Sequence, residues 1–307
     1  MPLPEPREEE QGYLVTVVVT EGRHRLRPTA EVTEIFETAL GRAQELTDVE
    51  VHCCGVNTNH YHLVATDVRG ELPVFMRELN QILAVELNRL DDRSGPVFLR
   101  YQTEPLDSID EFLNAMTYAL TNTVKDGLSR TYDSWPGYVT KIGEIGGKPR
   151  KVTRGESDHK WSKRSKLDES YEIRAVFPRI LRDSEPAAAS RARLGRMVKQ
   201  WSQTRRAEHI RAGNPGVPTR HRLETLPIDK PRKRPKRYRD VDVLEQKKRL
   251  SPLRKRRDLK RKDFREKYAR ALAGWIRGER DVVFPYGTYE MVRFHDVAVE
   301  ARPPPPS

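Results

Sequence analysis

The sequence predicts an α+β fold, in which an antiparallel sheet is covered by helices on one face and is followed by a basic, partly disordered C-terminal extension. Two observations support this prediction. Segments with strand and helix patterns follow one another in the order β-α-β-β-α-β-α between residues 13 and 124. Beyond about residue 140, these periodic apolar segments give way to dense runs of Lys, Arg and Pro.

Four segments of the first half have the pattern of strands. YLVTVVVT (13–20) is apolar and rich in β-branched residues, which is typical of a strand. Residues 49–56 and 60–66 have the same character and are separated by the polar turn NTN (57–59), so they predict a hairpin. GPVFLRYQ (95–102) predicts the fourth strand.

Three segments have the pattern of helices. Residues 29–46 and 71–90 place apolar side chains at helical spacing. The third segment, 107–124, opens with Ser108 and Glu111 at the spacing of a capping box, so we expect a helix to begin there. The order of the elements matches a ferredoxin-like (RRM-like) antiparallel sheet, a fold that supports many functions and decides none by itself.

The same patterns divide the chain into five segments. We expect an acidic, disordered N-terminus over residues 1–12, a compact α+β domain over 13–140 and a basic, largely irregular extension over 141–263. A small helix–strand element is expected at 264–298, followed by a disordered Pro-rich tail at 299–307. The hydrophobic fraction of 36% fits a chain of which part builds little core.

Charge is divided unevenly along the chain. Residues 1–140 hold 12 Lys and Arg against 23 Asp and Glu, whereas residues 141–307 hold 45 basic and 22 acidic residues. A nucleic acid would therefore be attracted mainly by the second half, although a solvated basic tail would have the same composition. The candidate nucleic-acid contacts in the densest basic runs are Arg232, Lys233, Arg234, Lys236, Arg237, Arg254, Lys255, Arg256 and Arg257.

Several classes of protein are disfavoured. The sequence contains no apolar run of the roughly 18 residues that a membrane span needs, and MPLPEPREEE at the N-terminus is the opposite of a signal peptide. The two cysteines, Cys53 and Cys54, are adjacent, so neither a disulfide framework nor a Cys-based zinc site is available. We therefore expect a soluble, cytoplasmic protein.

His60 and His62 are the first candidates for a metal site. Residues two apart in a strand point to the same face, so the two imidazoles are expected side by side, with Tyr61 on the other face. A histidine pair of this kind is a weak signal on its own, because such residues also occur on ordinary strand surfaces. A third ligand is needed.

The third predicted helix offers that ligand. At 100° per residue, Asn114, Tyr118, Asn122 and Lys125 lie away from the apolar face of this helix, and Tyr118 and Asn122 are one turn apart. Two histidines and an amide oxygen beside a free phenol suit phosphoryl transfer, with Mg²⁺ or Mn²⁺ as the divalent metal. The phenol would be the nucleophile.

These residues also carry a family resemblance. NHYHLVAT, YALTNTVKDGL and the intervening GPVFLRYQ resemble the single-tyrosine HUH transposases, in particular the REP-associated tyrosine transposases. The residues that match the two family motifs are Asn59, His60, His62, Tyr118, Asn122, Val124, Gly127 and Leu128. The resemblance covers about residues 13–140 and implies an HUH endonuclease domain there, of the insertion-sequence transposase type.

The resemblance implies specific roles. His60, His62 and Asn122 would bind the metal, and Tyr118 would cleave single-stranded DNA near a hairpin or palindromic end, leaving a 5′-phosphotyrosine and a free 3′-OH. It further implies a homodimer, with a monomer as the alternative, and a bacterial, nucleoid-associated location. Lys125 would contact the scissile phosphate, but a helix C-terminal cation without a catalytic role fits the sequence equally.

The sequence departs from the family pattern at two places. Thr123 stands where the family has Pro after the ligand Asn, and the residues before the histidine pair are Asn57 and Thr58 where the family has Met and Pro. Three alternatives remain open: a non-catalytic DNA- or RNA-binding protein with a vestigial site, a domesticated host nuclease, and a metal-dependent hydrolase of an unrelated substrate. The one-turn spacing of Tyr118 and Asn122 argues against the hydrolase.

Aromatic residues among the basic ones were further candidates for stacking on unpaired bases. These are Trp161, Trp201, Tyr238 and Trp275. For each of them, a role in local packing is the alternative.

Overall fold

The structure is a computed structural model, and the chain divides into two compact units. The first unit spans Glu10–Arg232, and the second includes the residues from Lys233 onward. The residues that the structure describes are 10–162, 167–214, 216–229, 251–288 and 290–301. Among them, no helix is both long enough and apolar enough to cross a membrane.

The first unit is built on a four-stranded antiparallel sheet in the order β2-β3-β1-β4. Its strands are β1 (Gln11–Val18), β2 (Val49–Val56), β3 (His60–Asp67) and β4 (Gln102–Leu106). The two halves of the predicted hairpin pair as expected, across the turn at residues 57–59. The predicted ferredoxin-like sheet and α+β class are therefore confirmed.

Helices cover both faces of this sheet. α1 (Ala30–Glu45) and α2 (Leu72–Leu90) share one apolar cluster with Tyr61 and with the odd-numbered residues of β1. α3 (Ile109–Lys125) shares a second cluster with Val64 of β3. Successive strand residues point to opposite faces, so the prediction of helices on one face holds for α1 and α2, whereas α3 lies on the other face, where it packs with Cys53 and Val64.

The fourth strand begins later than predicted. Residues 97–99 do pair with the end of β1, through a bridge between Val19 and Phe98, where the backbone NH of Leu99 donates to the Val18 carbonyl at 2.9 Å. The regular ladder starts only at Gln102, which pairs with Thr16. The register has shifted by one residue between the two pairings, and this irregularity interrupts the predicted strand.

The first unit continues well beyond the predicted domain boundary at residue 140. Phe177, Leu181, Leu194 and Val198 are buried in the same apolar cluster as α3, which explains why this part of the basic extension folds with the sheet. Its elements are β5 (Arg150–Thr153), β6 (Ser170–Ile173), α4 (Arg179–Arg182), α5 (Ala187–Arg211) and α6 (Arg220–Glu224), with short 3₁₀ turns at Thr20–Gly22 and Ile142–Glu144.

The second unit has its own small core. A long helix, α7 (Ser251–Ile276), is followed by the parallel pair β7 (Val283–Phe284) and β8 (Ala298–Val299), with α8 (Glu290–His295) between them. The buried core residues are Ala271, Phe284, Met291 and Val297. The helix begins 13 residues before the predicted element at 264, because the Lys- and Arg-rich segment before it consists largely of good helix formers.

Candidate active site on the α3 face of the sheet

His60 and His62 lie side by side on β3, on the face of the sheet that α3 covers. Their ring centroids are 5.1 Å apart. Tyr61, between them in sequence, points to the opposite face, where it packs against Phe36 and its hydroxyl donates to Asn80 Oδ1 at 2.7 Å. The alternation of the strand therefore separates a core residue from two candidate ligands.

Hydrogen bonds on the Nδ1 side orient both imidazoles. The Nδ1 of His60 lies 2.7 Å from Asn59 Oδ1, which can only accept, so this nitrogen carries the proton and Nε2 has a lone pair. The Nδ1 of His62 lies 3.0 Å from the hydroxyl of Thr16, its partner on β1. A hydrogen bond at one ring nitrogen that fixes the other for a metal is the usual second layer of a histidine metal site.

The Nε2 atoms point toward α3. His60 Nε2 lies 2.5 Å from the Asn122 Nδ2 atom, and Asn122 is 3% exposed. His62 Nε2 is buried and has no hydrogen-bond partner among the described residues. A buried polar atom without a partner is costly in an apolar environment, so this nitrogen is placed for a ligand of its own.

The protonation state of His62 also suits a ligand. Burial lowers the pKa of His62 well below its ordinary value, and the nearby His60 and Lys125 lower it further. The imidazole is therefore neutral at physiological pH, which is the form that binds a metal.

The residues present fit a divalent metal bound by two histidines and one amide. In the described part of the chain no cluster of three His, Cys, Asp or Glu offers an alternative site. The third donor here is the side-chain amide of Asn122, whose Nδ2 faces His60. A 180° rotation of this amide group would turn its oxygen toward His60 instead.

Tyr118 lies beside these candidate ligands. Its ring centroid is 4.8 Å from that of His62, in an edge-to-face arrangement, and the side chain is half-buried. The Lys125 ammonium lies 4.8 Å from the centre of the Tyr118 ring and 3.4 Å from its hydroxyl oxygen. The structure thus brings together all five residues that the sequence placed at the site: His60, His62, Tyr118, Asn122 and Lys125.

Two glycines allow α3 to approach the sheet so closely. A Cβ atom on Gly55, which pairs with His62, would lie 2.1 Å from the carbonyl oxygen of Ala119. A Cβ atom on Gly12 of β1 would lie 2.1 Å from the ring of Phe112. Sequence reasoning missed both glycines, although an isolated glycine inside a strand is a known sign of close backbone approach.

The turn before the histidines is tied to the end of α3. Asn57 Nδ2 donates to the Asp126 carboxylate at 2.7 Å, and the Asp126 backbone NH donates to the Asn122 carbonyl. Thr123, which stands where the family has Pro, is buried and hydrogen-bonded to Ser129 at 2.8 Å. The departures at Asn57 and Thr123 therefore make structural contacts and remove no candidate ligand.

The helix start is as predicted. Ser108 is the N-cap of α3, and its hydroxyl accepts from the Glu111 backbone NH at 3.3 Å. The Glu111 side chain closes the turn by accepting from the backbone NH of Asp107, one residue before the cap. This cap fixes where α3 begins, and the packing of its apolar residues on the sheet leaves Tyr118 half-buried beside the histidines.

The other sequence candidates have different outcomes. Trp161 donates to Glu34 at 2.9 Å and Trp275 lies under the Arg280 guanidinium in the second unit, so both have local packing contacts. Trp201 lies at the candidate site, with its ring centroid 6.3 Å from that of Tyr118. Arg254, Lys255, Arg256 and Arg257 fall within α7. Outside the described residues lie Arg232, Lys233, Arg234, Lys236, Arg237 and Tyr238.

No protein-family model and no curated protein sequence matches the chain. Among solved structures, a REP-associated tyrosine transposase bound to a REP hairpin is similar over 58% of this chain and 99% of its own, with 16% identity and a TM-score of 0.40. A candidate transposase from Deinococcus radiodurans R1 is similar over 38% of this chain and 95% of its own, with 14% identity and a TM-score of 0.28.

A third solved structure comes from another class of protein. It is a bacterial tRNA(His) guanylyltransferase (Thg1)-like protein in complex with ATP, similar over 63% of this chain and 92% of its own, with 12% identity and a TM-score of 0.32. At these identities and TM-scores, none of the three likenesses decides the chemistry of this chain. That chemistry has to be inferred from its own side chains.

Proposed function

We propose that this protein is a metal-dependent single-stranded DNA endonuclease and strand-transferase of the transposase type, with Tyr118 as the nucleophile. One observation carries the proposal: the Tyr118 ring packs against His62, whose buried Nε2 has no hydrogen-bond partner in the described part of the chain. A nucleophile directly beside a metal-ligand pair is the combination that covalent phosphoryl transfer requires.

In the proposed reaction, the Tyr118 oxygen attacks a phosphorus of the DNA backbone. The bond between phosphorus and the 3′-oxygen breaks as the bond to the tyrosyl oxygen forms. The phenol loses its proton to solvent, and the departing 3′-oxygen takes up a proton. The products are a 5′-phosphotyrosine and a free 3′-OH. Since the phosphodiester is conserved in the adduct, a 3′-OH of another strand can reverse the step and complete strand transfer.

Three side chains would hold the metal, namely His60, His62 and Asn122. When bound, Mg²⁺ or Mn²⁺ polarises the phosphate and stabilises the charge that develops on it. The protein prepares the site through two hydrogen bonds, one in which Asn59 Oδ1 accepts from His60 Nδ1 and one between the Thr16 hydroxyl and His62 Nδ1.

Lys125 has two roles in the proposed reaction. Its ammonium donates toward the Tyr118 oxygen and so helps to orient the phenol. The same positive charge would attract the phosphate under attack and reduce its repulsion of the nucleophile.

The proposed substrate is single-stranded DNA at a hairpin or palindromic end, on the strength of the two sequence motifs. Acidic residues outnumber basic ones 23 to 12 in residues 1–140, which opposes DNA binding by this part of the chain alone. The 45 basic residues that follow would restore attraction through phosphate contacts and counterion release.

A nicking assay tests the proposal. Wild type and Tyr118→Phe are incubated with Mn²⁺ or Mg²⁺ and labelled single-stranded DNA that carries a hairpin, and covalent adducts are resolved under denaturing conditions. Wild type should form an adduct, and the variant should form none while it binds the DNA as before. Tyr101→Phe and Tyr132→Phe are matched controls that remove a phenol elsewhere and should leave the adduct intact.

Other outcomes are equally informative. An adduct in Tyr118→Phe would assign the nucleophile to another residue, and its loss in Tyr101→Phe or Tyr132→Phe would say which. Metal-independent adduct formation would contradict the role of the two histidines. DNA binding without any adduct would favour the non-catalytic binding protein.

A further inference from the structure

Helix α5 carries three distinctive side chains on one stripe. Trp201, Arg205 and His209 are spaced four residues apart, so they lie one above another along the same face of the helix. This face is turned toward α3, where the first and last of the three contact Tyr118 and the carbonyl of Lys125. The sequence places this helix in the basic extension and makes Trp201 a candidate for stacking on unpaired bases or for local packing, with no role at the nucleophile.

Trp201 is a second aromatic neighbour of Tyr118, in addition to His62. The two rings meet edge to face, with an interplanar angle of 83° and a centroid distance of 6.3 Å. Tyr118 also meets His62 at 4.8 Å. The phenol ring is therefore in contact with two aromatic rings, which restricts the side-chain rotations open to it.

Arg205 holds Trp201 in turn. Its guanidinium lies over the Trp201 ring at 4.3 Å from the centroid, and its Nη1 donates to the Glu208 carboxylate at 2.9 Å. Arg205 is itself buried, so the indole rests on a charged group that has little freedom to move. Trp201 is thus fixed from within α5.

His209 fixes the last turn of α3. Its Nε2 lies 2.9 Å from the carbonyl oxygen of Lys125 and donates to it. Gly127 has a φ of +70°, and a Cβ atom there would lie 3.1 Å from the His209 ring. A glycine is therefore required at the helix end both by its backbone conformation and by the approach of His209.

We infer that Trp201 is a positioning residue for Tyr118, with Arg205 and His209 holding the indole and the end of α3 in place. This inference rests on the proposed function, since it gives the stripe on α5 the role of orienting the proposed nucleophile, Tyr118. Covalent attack demands a near-attack geometry, and a displacement of about 1 Å can cost on the order of 100-fold in rate. Trp201 is only half-exposed and contacts both Tyr118 and Arg205, which favours positioning over stacking on a DNA base.

Two variants of the full chain test the inference. Trp201→Leu keeps an apolar side chain but removes the ring, whereas Trp201→Phe keeps an aromatic edge. Gln203→Ala, on the exposed side of α5, is the matched control. Single-turnover adduct formation is measured with saturating DNA and Mn²⁺, together with DNA affinity. Independently of activity, the rate at which tetranitromethane nitrates Tyr118 is followed by peptide mass spectrometry.

The expected results separate positioning from other roles. Trp201→Leu should slow adduct formation roughly 10- to 100-fold, speed nitration of Tyr118 and leave DNA affinity unchanged, while Trp201→Phe should recover most of the rate. An unchanged rate in folded Trp201→Leu would overturn the inference. A loss confined to DNA affinity would also overturn it and make Trp201 a base-stacking residue.

The test also separates failure of the inference from failure of the proposed function. If wild type forms no adduct at all, the proposed function is wrong and the catalytic part of the inference is overturned with it. Faster nitration of Tyr118 in Trp201→Leu would then still establish that Trp201 controls access to the phenol. Equal nitration rates of Tyr118 in wild type and Trp201→Leu would overturn this role of Trp201 as well.

Discussion

Gly55 and His62 are directly paired across the β2–β3 hairpin, and the missing side chain of Gly55 is what allows α3 to lie beside the imidazole. The backbone of α3 occupies the space that a Cβ atom would need, since the Ala119 carbonyl is 2.1 Å from that position. The distance between the candidate ligands on β3 and those on α3 is therefore set by a residue that makes no contact with a substrate.

Gly55→Ala should separate α3 from the sheet. We expect a loss of about 1–3 kcal/mol in the free energy of unfolding, because neither backbone can yield without strain, together with weaker metal binding. Urea unfolding and Mn²⁺ titration measure the two effects. Gly195→Ala is the matched control: a Cβ atom there meets nothing within 4 Å, and the change should stabilise α5 by up to ~1 kcal/mol. Equal stability of Gly55→Ala and wild type would contradict the close packing.

Asn59→Ala should weaken metal binding without removing a ligand. Asn59 Oδ1 accepts from His60 Nδ1, and its loss frees the ring to rotate and to change tautomer. Losses of this kind lower metal affinity by about 10- to 100-fold. Mn²⁺ titration followed by electron paramagnetic resonance measures the affinity, and Asn114→Ala, at an exposed position of α3, serves as the control. Unaltered Mn²⁺ affinity in Asn59→Ala would exclude the orienting role.

His52 should make the stability of the fold depend on pH. Its pKa is lowered to about 4, chiefly by burial, with a smaller effect of the Arg182 charge in the same direction and an opposing effect of the hydrogen bond to the Val176 carbonyl. The unfolded chain, with a pKa near 6.5, therefore binds a proton more readily than the folded one. The contribution of His52 to the free energy of unfolding is complete above about pH 6.5. It falls by about 3 kcal/mol as the pH decreases to 4.

Urea unfolding at several pH values checks this prediction. Stability of the wild type should fall between pH 6.5 and 4, with a further contribution of the same sign from His62, whose pKa is also lowered by burial. In His52→Gln the fall should be smaller, because the His52 contribution is removed while that of His62 remains. Identical pH profiles for wild type and His52→Gln would show that His52 is not the titrating group.

The basic residues at the start of α7 should control the salt dependence of DNA binding. Replacing Arg254, Lys255, Arg256 and Arg257 by Gln removes four positive charges from the full chain. If all four contact phosphates of single-stranded DNA, the slope of log affinity against log salt should decrease by up to about 3. Fluorescence anisotropy at several salt concentrations measures the slope. The double variant Arg69→Gln/Arg77→Gln is the control. If the slope of the quadruple variant equals that of wild type, these four residues do not contact the DNA phosphates.

The parts of the site that could be predicted from sequence are those set by local periodicity. The two-residue repeat of β3 placed His60 and His62 on one face, and the four-residue repeat of α3 placed Tyr118 beside Asn122. The cap at Ser108 is local too, and the helix begins there as predicted.

The parts that were missed depend on contacts between distant segments. Thr16 orients His62 only because β1 and β3 pair in one particular register, and a register is not readable from either strand alone. Trp201 was one of several candidate aromatics, and its contact with Tyr118 follows from the packing of α5 on α3. The start of β4 was misplaced for a similar reason, since an irregularity in pairing leaves little trace in composition.

The hydrogen bond between His209 and the Lys125 carbonyl joins residues 84 positions apart, and this separation has a consequence for synthesis of the chain. Every candidate ligand and the nucleophile leave the ribosome before the stripe on α5 that holds them. At about 5–20 residues per second, the interval is roughly 4–17 seconds. During that time, Tyr118 lacks its contact with Trp201. We therefore expect the nascent chain to reach the full rate of the proposed reaction only after its own later helix has docked.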